Sequence, residues 1–187
     1  MTKIIIGVVL VLIVLYVVAT ANRLTQMKNR VENQAAQVDV QLKRRYDLIP
    51  NLLETAKGYA GFERSTLEAV TKARTAAMGA SNRSEELQVN TELTNALQRF
   101  TMVSESYPEL KANANFMQLQ NELSATEDKI GKARQFYNDT VLKYNNAIGM
   151  IPANLVAALF GHGKLSFLDA SGEERKNVKI QAEQFRM

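Results

Sequence analysis

The first feature of the chain is a run of 18 uncharged residues, 4–21, in which only Gly7 and Thr20 fall outside the apolar set. As a helix this run is about 27 Å long, close to the roughly 30 Å of a bilayer's hydrocarbon core once Lys3 and Arg23 extend their charged ends to the interface. A membrane-spanning helix through Ile4, Val11, Val18 and Ala21 is therefore predicted. A cleaved signal peptide is the alternative, with Lys3 as its basic region and Ala19-Thr20-Ala21 as a small-residue cleavage site that would leave an exported domain. The block is long for a signal peptide, has no helix breaker before the Ala-x-Ala and runs straight into a helical pattern, so the anchor is the expectation retained.

Beyond it the apolar positions keep steps of three and four. Leu24, Met27, Val31, Ala35, Val38, Leu42, Ile49 and Leu53 continue the first helix, Pro50 predicts a kink or restart, and Gly58 and Gly61 mark its end. A second helix over 63–78 carries Leu67, Val70, Ala73 and Ala77. A third begins after Ser84 as N-cap, with Glu85 and Glu86 in its first turn, carries Leu87, Leu93, Leu97 and Phe100, and stops before Pro108. The longest pattern runs over 113–149 through Phe116, Leu119, Leu123, Thr126, Ile130, Ala133, Tyr137, Val141, Tyr144 and Ile148. The expected fold is all-α: one N-terminal transmembrane helix followed by an antiparallel long-helix bundle with a coiled-coil-like seam. The predicted parts are a tail and span over 1–21, a bundle over 22–150, and a short apolar helix with a C-terminal tail over 151–187, weakly held from 171 onward.

Composition narrows the chemistry. The chain has no cysteine, which removes disulfides, thiolate nucleophiles and Cys-ligated metals. Its one histidine, His162, sits between two glycines, outside the predicted bundle. A di-metal bundle needs Glu-x-x-His pairs on separate helices, so a carboxylate metal site through Glu122 and Glu127 is disfavoured. The net charge of +4 comes from charges that alternate in sign along the chain, which argues against nucleic-acid binding. Neither enzymatic activity nor a cofactor or metal is expected. Arg23, Lys28 and Arg30 after the span outnumber Lys3 before it, placing the bundle on the cytoplasmic side.

Lys43-Arg44-Arg45 lies more than about 30 Å beyond the span on a continuous helix, too far for lipid headgroups, and reads as an ion-pairing cluster toward Asp47 or Glu54. The apolar segment over 151–160 cannot stay a solvated loop. It must lie in the membrane interface, cover the bundle end or pack against another copy; Leu155, Val156, Leu159 and Phe160 are its candidate assembly contacts.

Several motifs, in order, resemble the LemA family of bacterial membrane proteins. They are Arg44-Arg45-Tyr46-Asp47-Leu48-Ile49-Pro50-Asn51-Leu52, Tyr107-Pro108-Glu109-Leu110, Phe116-Met117-Gln118-Leu119-Gln120-Asn121-Glu122-Leu123 and Thr126-Glu127-Asp128-Lys129-Ile130. Ala133-Arg134, Tyr137-Asn138 and Tyr144-Asn145-Asn146 complete them, with Ile151-Pro152 where Phe-Pro would be more usual. The resemblance implies a single N-terminal span, a long-helix bundle and a location in the bacterial cytoplasmic membrane, and it supplies no reaction. It also marks recurrent polar positions, carried here onto Arg45, Asp47, Pro50, Asn51, Glu109, Glu122, Glu127, Arg134, Asn138 and Asn145. These are read as a structural network that pins helix register.

The function expected is therefore that of a non-enzymatic, membrane-anchored scaffold that associates with its own copies. The alternative is a monomeric adaptor or sensor that binds a membrane or cytoplasmic protein between its helices. The lipid bilayer is a partner in either case.

Overall fold

The computed structural model describes residues 1–59 and 61–168, without the side chain of Ser84. The tail expected over 171–187 lies outside the described residues. Among the described residues the structure is helical throughout, in the order α1 (Thr2–Lys57), α2 (Arg64–Met78), α3 (Arg83–Ser104), α4 (Pro108–Lys111), α5 (Ala114–Gly149) and α6 (Ala153–Leu159). The chain divides into two compact units. The first holds residues 1–55 and 113–167; the second holds 56–112 and Leu168.

In the first unit α1 is one helix of 56 residues, about 84 Å long. It carries the apolar block and continues without interruption into the packed body. The large apolar side chains from Ile4 to Tyr16 are all exposed, so nothing among the described residues covers them. This helix is long and apolar enough to cross a membrane. Of the kink or restart expected at Pro50, the restart does not occur. Proline supplies no N–H to the ladder, but α1 runs on for seven more residues. Ile49 and Leu52 on either side are fully buried, and their packing offsets the missing bond.

Burial on α1 follows a stride of seven, through Leu24, Val31, Val38 and Arg45, with Leu42 beside it. On α5 the same stride gives Ile130, Tyr137 and Tyr144, accompanied by Val141 and Ile148. The helices run antiparallel: Met27 to Gln34 line a common groove with Thr140 and Lys143, whereas Arg45, farther along α1, meets Glu127, earlier in α5. Each buried aliphatic side chain in such a seam contributes about 1.5–3 kcal/mol. Asn113 caps α5, its side chain accepting from the Phe116 N–H at 3.0 Å.

The second unit is built on α2 and α3. Thr66, Val70 and Ala77 face inward from α2, and Asn90, Leu93, Leu97 and Phe100 from α3. Ser84 is not the cap of α3. Asn82 holds that position, its side chain accepting from the Glu85 N–H at 3.0 Å, because an Asn with extended backbone two residues earlier already satisfies the first turn. The turn between α1 and α2 is fixed by Gly61, whose positive φ of 86° suits glycine, and whose carbonyl accepts from the Tyr107 hydroxyl. Phe62 packs between Phe100 and Tyr107, with ring centroids 5.4 and 5.1 Å away.

Candidate functional site

Three parts of the first unit carry chemistry, and the polar positions singled out above fall unequally among them. The deepest is at Arg45, which takes a seam position where a leucine would fit and is 1% exposed. Its Nε lies 2.7 Å from Glu127 Oε1, an ion contact whose alignment falls short of a hydrogen bond. Glu127 keeps 37% of its side chain exposed, so one end of the pair reaches water. Burial lowers the Arg45 pKa and the charge of Glu127 offsets part of that. Burial likewise raises the Glu127 carboxyl, while Arg45 and then Arg134 pull it back without cancelling the effect. In both groups burial outweighs the pull of the opposite charge.

A pH dependence follows from the raised Glu127 carboxyl. The native protein takes up that proton at a higher pH than the unfolded chain does. The group's contribution to stability is therefore complete below the ordinary carboxylate value of 4.5 and is lost as pH rises through the raised native value. In the detergent-solubilised protein, Glu127→Gln is expected to remove this component from denaturation midpoints measured across that window.

The second part is a clamp on the C-terminal half of α5. The Asn145 side chain makes both bonds of a backbone pair with Leu165, donating to its carbonyl and accepting from its N–H, each at 2.9 Å. The Tyr137 hydroxyl donates to the Ser166 carbonyl at 3.1 Å. The Tyr144 hydroxyl meets His162 Nδ1 at 3.2 Å, with the two rings edge to face. His162 is thus seated on α5 and not outside the helical body as the sequence had suggested. The glycines beside it let the chain reverse after α6: Gly161 has φ of 70°. Residues 162–166 then run back along α5 and dock their backbone on its polar side chains. Asn145→Ala removes two part-buried hydrogen bonds to the Leu165 backbone and is expected to cost about 1–3 kcal/mol of local stability, read as faster amide exchange at Leu165 with unchanged helix content.

Of the remaining expected network members, Arg134 acts on the Arg45–Glu127 pair, and Asp47, Asn51 and Glu122 make contacts along their own helices. Asp47 is exposed and pairs with Lys43 at 2.9 Å. Asn51 is exposed, and its carbonyl accepts from Thr55. Glu122 accepts from Gln118 at 3.1 Å along its own helix. Glu122 and Glu127 are five residues apart, about 140° around α5, and so diverge. Among the described residues no group of three or more His, Asp or Glu side chains comes together as a metal-holding set. Arg134 lies on the Arg45 side of α5, its Nε buried without a hydrogen-bond partner among the described residues, and Asn138 is half-buried one turn on.

The third part is the end of the unit nearest the apolar block. A groove of about 260 Å³ lies between α1 and α5, lined by Met27, Arg30, Asn33, Gln34, Thr140 and Lys143. Beyond it, α5 turns into α6. Of the four residues expected as assembly contacts, Leu155, Leu159 and Phe160 stand exposed at 70%, 75% and 54%, whereas Val156 faces inward at 5% and belongs to the packing of the unit. A seven-residue helix has a single inward stripe, and Val156 with Ala157 occupies it. The groove has no signature in the sequence, because it forms only where α5 brings Thr140 and Lys143 next to the α1 residues.

A family model described as the LemA family matches residues 34–182. A protein named Protein LemA, from Metamycoplasma hominis, is 25% identical over 162 residues, covering 86% of this chain and 74% of that protein.

Proposed function

The chain belongs to the LemA family, and from that premise we propose that it is a non-enzymatic scaffold at the bacterial cytoplasmic membrane, anchored by residues 4–21, with its helical body on the cytoplasmic side and its copies associating laterally. The observation that supports this reading is the continuity of α1. The helix that carries the apolar block becomes, without a linker, one of the two helices of the packed body. A body joined in this way cannot tumble independently of its anchor. Every copy presents the same faces at the same height, and confinement to a plane lets weak lateral contacts act at high effective concentration. Val40 on α1 and Phe136 on α5 are large apolar residues left exposed along the body, of the kind such contacts use.

The test exploits the absence of cysteine. The double variant Val40→Cys/Phe136→Cys, with two thiols per chain, treated in membranes with a short bifunctional thiol cross-linker, should give a ladder of species above the dimer. A chain that remains monomeric at all cross-linker concentrations supports a single-copy adaptor instead.

A further inference from the structure

The exposed corner where α5 passes into α6 can be placed along the long axis of the first unit. Lys143 shares the groove with Arg30, and the helices are antiparallel. Six residues onward along α5 from Lys143 lies Gly149; six residues backward along α1 from Arg30 lies Leu24. Both steps cover about 9 Å, so the end of α5 is level with Leu24. Leu24 is three residues, about 4.5 Å, from Ala21, where the apolar block ends. At that level Met150, Ile151, Leu155, Leu159 and Phe160 are all exposed. Five large apolar side chains thus stand uncovered among the described residues on the segment that follows α5 at this end of the unit.

Charge gives a second, independent indication. Residues 1–31 contain Lys3, Arg23, Lys28 and Arg30 and no carboxylate, and residues 140–168 contain Lys143 and Lys164 and none either. These are the two stretches that meet at this end of the unit. Elsewhere in the chain acidic and basic residues alternate. Glu32, paired with Lys28 at 4.0 Å, and Asp139 border these stretches, and the basic residues outnumber them. An apolar tip within a collar of net positive charge is the pattern of a surface that enters the headgroup layer of an anionic bilayer.

We infer that the α5–α6 corner is a second membrane contact, with Leu155, Leu159 and Phe160 seated at the boundary of headgroups and acyl chains beside the span and Arg30 and Lys143 facing anionic lipid headgroups above it. The occupant of this surface is the bilayer. The contact fixes the tilt and rotation of anchor and body together relative to the bilayer plane, which a single span would leave free, and the clamp through Asn145 and Tyr144 holds the corner in place. The inference rests on the anchoring part of the proposed function.

The experiment uses the full-length chain with single cysteines at Leu159→Cys and Leu155→Cys, each labelled with an environment-sensitive fluorophore and reconstituted in phosphatidylglycerol-containing vesicles with plain or brominated acyl chains. Val11→Cys in the span and Asp47→Cys, about 39 Å beyond Ala21, are the two references. Emission at positions 155 and 159 is expected to fall about twofold or more with brominated lipid, as it does at Val11, while Asp47 is unchanged. Quenching at Val11 without quenching at either corner position overturns the inference and leaves the anchor standing, whether the labels are then in water or covered by a second copy. Absence of quenching at Val11 overturns the anchor reading and this inference with it.

Discussion

Glu127→Leu is expected to destabilise the helical body by about 3–5 kcal/mol, more than any other single change in the seam. The substitution removes the carboxylate 2.7 Å from a guanidinium that is 1% exposed and stays charged at any physiological pH. Arg134, a charged group that acts on Arg45, is itself positive and adds to the cost. The reverse substitution, Arg45→Met, is expected to cost about 1–3 kcal/mol, because the carboxylate left behind is already 37% exposed and can turn to water. The double variant Arg45→Met/Glu127→Leu is expected to be at least as stable as the wild type, by up to about 4 kcal/mol, since both groups resist burial. Denaturation midpoints of the four proteins form a double-mutant cycle that checks all three values. Equal losses in the two single variants would mean that Arg45 reaches solvent in the folded protein.

The second large effect concerns the anchor. Val11→Arg combined with Leu12→Arg places two charges at the centre of the apolar block, each at a cost of about 2.5–3.5 kcal/mol for insertion. The protein is expected to move from the membrane pellet to the soluble fraction, whereas the conservative pair Val11→Leu/Leu12→Val stays in the membrane. N-terminal sequencing of the wild type separates the two uses of the block: a chain beginning at its first residues is anchored, and one beginning at Asn22 has been processed. Retention of the double-arginine variant in membranes would place the whole membrane association elsewhere in the chain.

Much of the helical architecture is legible in the sequence, because apolar residues at steps of three and four can satisfy only one period. The long pattern over 113–149 matches α5 to within a residue, and the glycines at 58 and 61 bracket the end of α1. Local signals decide less well where packing intervenes. Pro50 reads as a breaker, but buried neighbours on both sides carry the helix through it. Ser84 and Asn82 are both plausible caps, and the choice between them depends on the backbone geometry of the turn.

The candidate site was legible as residue types and not as partners. Arg45 and Glu127 were both on the sequence-derived set of polar positions, though 82 residues of chain hide the fact that they touch. Asn145 was also in that set, but its partner is the backbone of Leu165, and a backbone group carries no sequence signature. His162 offered the only hint of that contact, a ring placed between two glycines where the chain can reverse. Asp47 and Asn51 are equally polar and only a few positions from Arg45, but the helix turns them outward. The basic groove and the apolar corner share an end of the unit only because α5 runs antiparallel to α1, a relation that no periodicity contains.

Anchored copies of the chain are expected to assemble. The most direct test is the mass of the full-length protein in nanodiscs or mild detergent, by light scattering with the lipid and detergent contribution subtracted. A discrete particle of several chains is the expected result; a particle holding one chain under all conditions would contradict assembly and leave a monomeric adaptor awaiting its partner.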